Sequence, residues 1–353
     1  MNIESLIRPN IRNLKPYSSA RSLVKQDEQV LMDANENPFA PNGRYPDPNQ
    51  NELRQALSDF YSIDRNSIMP GNGSDEIIDL LFRAFTEPGE SNVIIPQPTY
   101  GMYEVAANIQ NCKVVKVDLN KSFQPNSAAI LSSIDKYSKM IFLCSPNNPT
   151  GNLLDEKAIE QILKNFKGLV IIDQAYVEFS DARPWRTRIN EFPNLVVLQT
   201  FSKAWGMAGI RGGLMFSNPE IIQWLMRIKL PYNINELTQQ KMTQALNQVP
   251  KMKNWVKVIL EERAKLEEAL QNIEDVLEIY PSDANYLLVK FKDANRTYNQ
   301  LKQRGIIVRN RSNLTGCENT LRISVGSPME NRLLLKALQI INSKQITEIT
   351  TTN

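Results

Sequence analysis

The chain has 353 residues, more than a single hydrophobic core usually encloses, so two domains are expected. Lysine and arginine total 41 against 38 acids, a formal charge of +3, and no Lys/Arg-rich block marks a nucleic-acid or membrane surface. There is no histidine, which excludes Ser-His-Asp and Cys-His nucleophile systems and every His-dependent metal site, and leaves acid–base chemistry to Lys, Asp, Glu, Tyr or Cys.

In chain order, the opening "MNIESLIRPNIRNLKPYSS" lacks an apolar signal-peptide core, and no later segment reaches about 18 uninterrupted apolar residues, so a soluble, unprocessed protein is expected. Residues 1–50 are polar and proline-interrupted and read as an extended arm and loop. "NELRQALSDFYS" is helical in pattern, and "DEIIDLLFRAF" sets Ile77, Ile78, Leu81, Phe82 and Phe85 on one helical face, entered through "GNGS" with Ser74 as the expected N-cap. Short aliphatic runs follow: "NVIIP", "KVVKVDL", "MIFLCSP", "LVIID", "LVVLQT" and "GLMFS". Lacking polar alternation, they read as strands buried on both faces of a mainly parallel, helix-covered sheet, an α/β class. After residue 250 a long charge-rich amphipathic helix precedes "VLEIY", "NYLLVKF", "GIIVRN" and "TLRISVG", which reads as a second, smaller α+β unit. Cys112, Cys144 and Cys317 are odd in number and show no CxxC pair, so neither a disulfide framework nor a metal knuckle is expected, and a reducing cytoplasm is the simpler home.

One stretch concentrates chemistry. In "FSKAWGMAGIRGG", Lys203 follows a predicted buried strand, where open α/β sheets place ligands. A lysine there is either an ordinary solvated charge or a desolvated amine able to join an aldehyde and act as a base. Arg211 and Ser202 nearby, with the anion-binding turn "GNGS" opening a helix, suit a phosphate monoester. Asp173 ends "LVIID" and is either a loop cap or a carboxylate that keeps a pyridine nitrogen protonated, with Tyr176 three residues on as a donor to the ring's phenolate oxygen. "CSPNNPTGN" is a turn-rich loop placing two asparagines at a strand's carboxyl end.

With "DANENP", "RYPDP", "GNGSDE", "PTYGMY", "SPNNPTG", "DQAYVEF", "FSKAWGMAGIRGG", "GIIVRN" and "LRISVG" in order over nearly the whole chain, the sequence resembles the fold-type I pyridoxal-phosphate aminotransferases, and in detail the histidinol-phosphate aminotransferases. The resemblance implies a large domain at 31–248 holding pyridoxal 5′-phosphate, a small domain at 249–353, and an N-terminal arm, 1–30, packing with the small domain. It implies that Lys203 binds the cofactor covalently and Asp173 pairs with its ring nitrogen, while Tyr176 and Asn148 reach the phenolate oxygen. Ser74, Asp75, Ser202 and Arg211 would hold the phosphate, and Tyr100 would lie against the ring. Tyr45 would reach the phosphate of a neighbouring subunit, making a homodimer with shared sites. Arg322, Arg309 and Tyr17 would bind the substrate's anionic end. The implied reaction exchanges an amino group between histidinol phosphate and 2-oxoglutarate, giving glutamate. An aromatic amino-acid aminotransferase, a decarboxylase of a phosphorylated amino acid and a non-catalytic ligand sensor remain alternatives.

Overall fold

The computed structural model describes residues 2–15 and 30–350. Its larger sheet contains β1 (Ile68–Asn72), β2 (Asn92–Gln97), β3 (Lys113–Asp118), β4 (Ser138–Cys144), β5 (Leu169–Asp173), β6 (Leu195–Thr200) and β7 (Gly212–Ser217) in the order β1-β7-β6-β5-β4-β2-β3. β2 to β6 run parallel, and β7 alone is antiparallel to its two neighbours, β6 and β1. Alternate residues of the central strands enter different cores, as the absence of polar alternation implies. Val170, Ile172, Leu195 and Val197 pack with helices Asn51–Tyr61, Glu156–Asn165 and Glu236–Leu246. Leu169, Ile171, Val196 and Leu198 pack with helices Gly73–Phe85, Met102–Ile109 and Pro219–Ile228.

The smaller sheet is wholly antiparallel, with β8 (Val276–Ile279), β9 (Tyr286–Phe291), β10 (Arg309–Asn310) and β11 (Thr320–Ser324) in the order β10-β11-β9-β8. Its core is shared with helices Ala294–Gln303 and Pro328–Thr350. Helix Val249–Gln271 joins the two sheets. Its first half puts Met252 and Val256 into a core of the larger sheet, and its second half puts Leu266 and Leu270 into that of the smaller one.

Three details depart from the sequence reading. β1 was not expected, and it pairs with β7 from Ile68↔Phe216 to Asn72↔Gly212. The helix after it begins at Gly73, so Ser74 lies inside its first turn and is not the cap; Glu76 Oε2 instead accepts from the Asn72 N–H at 2.5 Å. The described part of the N-terminal arm packs on the larger sheet rather than with the small domain, because Ile3 and Ile7 are buried among Ile77, Phe82 and their neighbours. Its Arg8 N–H donates to the Ala84 carbonyl at 3.0 Å. Among the described residues, no helix is long and apolar enough to cross a membrane.

Candidate active site

The carboxyl ends of β1, β4, β5 and β6 meet at one edge of the larger sheet, the place where such sheets bind ligands. Asn72, Cys144, Asp173 and Thr200 end those strands. The loops that follow, together with the β10–β11 edge of the smaller sheet, enclose a cavity of about 270 Å³. It is lined by Ser74, Asp75, Tyr100, Asn148, Asp173, Tyr176, Ser202, Lys203, Arg211, Arg309 and Arg322, so eleven of the thirteen expected site residues converge. The exceptions are Tyr45, which lies outside the cavity stacked on Tyr232 at 4.4 Å, and Tyr17, which falls outside the described residues.

One end of the cavity is built for an anion. Gly73 adopts φ +75°, and its N–H donates to the Arg211 carbonyl at 2.6 Å. A side chain at Gly73 would put its Cβ 2.6 Å from Arg211 Nη2, so only glycine lets backbone and guanidinium share this corner. β7 approaches just as closely, since a Cβ on Gly213 would lie 2.3 Å from the Gly73 carbonyl carbon. The N–H groups of Ser74 and Asp75 are in the helix's first turn and lack intrahelical acceptors. The Asp75 carboxylate is turned to Arg211 Nη2 at 3.3 Å and to the Tyr100 hydroxyl at 3.1 Å, which leaves its backbone to face an anion. Ser202 is held by Thr200, whose Oγ1 accepts from the Ser202 N–H at 3.1 Å and donates to its Oγ at 3.0 Å.

The middle of the cavity holds the titrating groups. Asp173 is buried, accepting from the Tyr103 hydroxyl at 2.6 Å and the Ala175 N–H at 3.1 Å. Burial raises its pKa above the usual carboxylate value, and those two donors only partly offset the shift. A cationic partner would complete the compensation. Lys203 has its ammonium 5.6 Å from the centre of the Tyr176 ring. Desolvation, followed by repulsion from Arg322, lowers the Lys203 pKa and favours the neutral amine. Asn148 joins the two sheets: its Oδ1 accepts from Arg322 Nη1 at 2.5 Å, while its Nδ2 lies 3.5 Å from the Tyr176 hydroxyl.

On the smaller-sheet wall, Arg309 and Arg322 are direct cross-strand partners on β10 and β11. The sequence profile described as "Aminotransferase class I and II" matches residues 18–338. The chain belongs to the class I and II aminotransferases. Among similar members of that family, the histidinol-phosphate aminotransferase of Parabacteroides distasonis is 51% identical, covering 96% of this chain and 98% of its own. That of Christiangramia forsetii is 49% identical, covering 97% and 99% respectively. The crystal structure of the histidinol-phosphate aminotransferase from Clostridium acetobutylicum superposes with a TM-score of 0.79 at 25% identity, covering 86% of this chain and 91% of that one.

Two residues of this aminotransferase site were missed by sequence reasoning. Tyr103 sits inside "PTYGMY", but the helical run around it gives no sign that its hydroxyl meets a carboxylate 70 positions away. Arg311 lines the cavity two residues beyond Arg309, in a stretch that reads as a turn. Its proximity to Arg322 was visible only through the pairing of β10 with β11.

Proposed function

We propose that the chain is a pyridoxal-phosphate-dependent transaminase that exchanges an amino group between histidinol phosphate and 2-oxoglutarate. The observation that carries this reading is the convergence on one cavity of a backbone-and-Arg211 anion cradle, of Lys203 and Asp173, and of arginines from the smaller sheet. The 51% identity to a relative of that name supports the choice of substrate.

The residues present fit the cofactor. Gly73, Ser74, Asp75, Ser202 and Arg211 would hold its phosphate, with the cradle kept free of any side chain at Gly73. Asp173 would keep the ring nitrogen protonated, Tyr176 and Asn148 would donate to the phenolate oxygen, and Tyr100 would cover the ring. The cofactor, when bound, supplies the aldehyde that takes up the amino group and the cationic ring that accepts an electron pair. Lys203 would hold the cofactor through its aldehyde, and once freed its Nζ would take the proton from the carbon that bears the substrate amine. Desolvation and the nearby Arg322 lower its pKa, which shifts this nitrogen toward the neutral, basic form. Arg322 and Arg309 orient either substrate by its anionic end, pairing with carboxylate or phosphate through a planar fork. Tyr17 belongs beside them in this reading.

We place the cofactor-binding domain at 31–248 and the small domain at 249–353, working as a cytoplasmic homodimer in which Tyr45 reaches the partner's cofactor phosphate. Free thiols at Cys112, Cys144 and Cys317 suit that compartment.

The test is a half-reaction screen in which cofactor-loaded protein is mixed in turn with histidinol phosphate, glutamate, phenylalanine and threonine phosphate, and the carbonyl product is identified. Ketone from histidinol phosphate and 2-oxoglutarate from glutamate are expected. Preference for phenylalanine would make the enzyme an aromatic aminotransferase, and carbon dioxide released from threonine phosphate would make it a decarboxylase.

A further inference from the structure

The smaller-sheet wall of the cavity carries more positive charge than a carboxylate substrate can use. Arg309 and Arg322 face one another across β10 and β11. Beyond β10 the pairing continues, since the Arg311 N–H donates to the Thr320 carbonyl at 3.0 Å. The two-residue period of extended chain sets Arg309 and Arg311 on one face, and both line the cavity with Arg322.

None of these three guanidinium groups forms an ion pair with a carboxylate of the described residues. The two acids in the cavity are already engaged, Asp75 with Arg211 and Tyr100, and Asp173 with Tyr103. Among the described residues the Arg322 guanidinium has one hydrogen-bond acceptor, Asn148 Oδ1, and lies over the Tyr286 ring at 5.2 Å. The Nε atoms of Arg311 and Arg322 are both buried with no acceptor. Desolvation, then repulsion from Arg322 and Arg309, disfavours charge on Arg311. Buried donors without acceptors and adjacent like charges are both unfavourable, and a ligand with several anionic oxygens relieves both at once.

We propose that Arg311 is a specificity-determining residue that completes, with Arg309 and Arg322, a three-guanidinium receptor for a dianionic phosphate terminus and discriminates it from either one of glutamate's two carboxylates. The proposal deepens the transaminase reading and rests on it for the identity of the two substrates. A carboxylate has two oxygens and one charge, and one guanidinium fork satisfies it. A phosphate monoester above its second pKa of about 6 has two charges and three terminal oxygens, enough for three guanidinium groups. Arg322, bonded to Asn148 beside the reacting centre, serves both anions; Arg311 serves mainly the larger charge.

The experiment compares cofactor-loaded wild type, Arg311→Gln and Arg311→Lys, with the cofactor's own phosphate occupying the other anion site. Binding of inorganic phosphate and of acetate is measured by calorimetry at about pH 8, where phosphate is doubly charged. Arg311→Gln should weaken phosphate about ten- to a hundredfold, the usual range for loss of a charged hydrogen-bond donor. Acetate binding and the glutamate half-reaction should fall far less, by no more than about threefold, because the Arg322 fork by itself satisfies a single carboxylate. Arg311→Lys should recover part of the phosphate affinity, since it keeps the charge and loses the fork. Equal losses for the two anions, or no loss for phosphate in a variant with a wild-type melting curve, overturns the proposal. Failure of the transaminase reading would look different: wild type would not use histidinol phosphate, while phosphate selectivity would still depend on Arg311. If histidinol phosphate were used normally by Arg311→Gln, the receptor would fall and the reaction would stand.

Discussion

At the residue scale, a buried carboxylate is paired with a phenol. Asp173 accepts from Tyr103 and from one backbone N–H, and its pKa still lies above the ordinary value because desolvation is the largest influence on it. A cationic ring nitrogen beside it would restore the ionised form. Asp173→Asn keeps the volume and still accepts from Tyr103, but removes the charge. It should therefore reduce kcat at least about a hundredfold, the scale of losing one electrostatic stabiliser in a closed site. The melting temperature should move little, and a near-normal kcat would remove Asp173 from the mechanism. Lys203, Asp173 and Arg211 were legible in the sequence because each is a charge set against small or aliphatic neighbours. Tyr103 and Arg311 were not, because a tyrosine in a helical run and an arginine in a turn have ordinary solvated or packed roles, and only long-range packing reveals their partners.

At the element scale, the 3-10 turn Val177–Phe179 follows β5 and the Tyr176 loop. It carries Glu178, whose Oε2 is buried without a partner. Burial pushes the Glu178 pKa up to about 7 from 4.5, against weaker opposing effects from its own backbone N–H and from Arg186. The folded state therefore binds this proton more tightly than the unfolded chain does, and folding stability falls as pH rises from 4.5 to about 7. Glu178→Gln should remove that fall, raising stability above neutral pH by roughly 1–3 kcal/mol and changing it little near pH 4.5. Thermal melts of both proteins across this range measure the effect; parallel curves would mean that Glu178 ionises freely. The elements themselves were largely readable where aliphatic runs are long and doubly buried, as in β5 and β6. β1 escaped notice because "IMPGN" combines proline and glycine, which weaken a strand signal. Its place at the end of the sheet explains the tolerance of Pro70, since an outer strand needs fewer ladder donors. "GIIVRN" reads as a full strand, yet only Arg309–Asn310 pair regularly.

At the scale of the whole molecule, the position of Tyr45 bears on assembly. Its ring is half-exposed and stacked on Tyr232, and its N–H donates to Glu36 Oε1 at 2.5 Å. The same loop is fastened by the buried Lys229 ammonium, which donates to the Pro48 carbonyl at 2.7 Å. In the proposed homodimer this loop would carry Tyr45 to the partner's cavity. Lys203→Ala and Tyr45→Ala proteins, each impaired alone, should regain activity when their subunits are exchanged. In a mixed dimer, the Tyr45→Ala chain keeps its Lys203 and borrows an intact Tyr45. Equal mixing should approach about a quarter of wild-type turnover, because half the dimers are mixed and each has one complete site. No gain after demonstrated exchange would mean that Tyr45 acts within its own chain or not at all.

The anion cradle spans the outermost strand of the larger sheet, β1, and its neighbour β7, since Gly73 follows the former and Arg211 precedes the latter. A ligand bridging these two segments would act as a rivet at this margin of the sheet. Free cofactor at a hundred times its dissociation constant stabilises the closed margin by about 2.7 kcal/mol, so amide hydrogen exchange in β1 and β7 should slow about a hundredfold. β3, at the opposite margin, should exchange at its former rate. Loss of the coenzyme would then loosen this border selectively and raise its susceptibility to proteolysis, while the opposite edge kept its former rate.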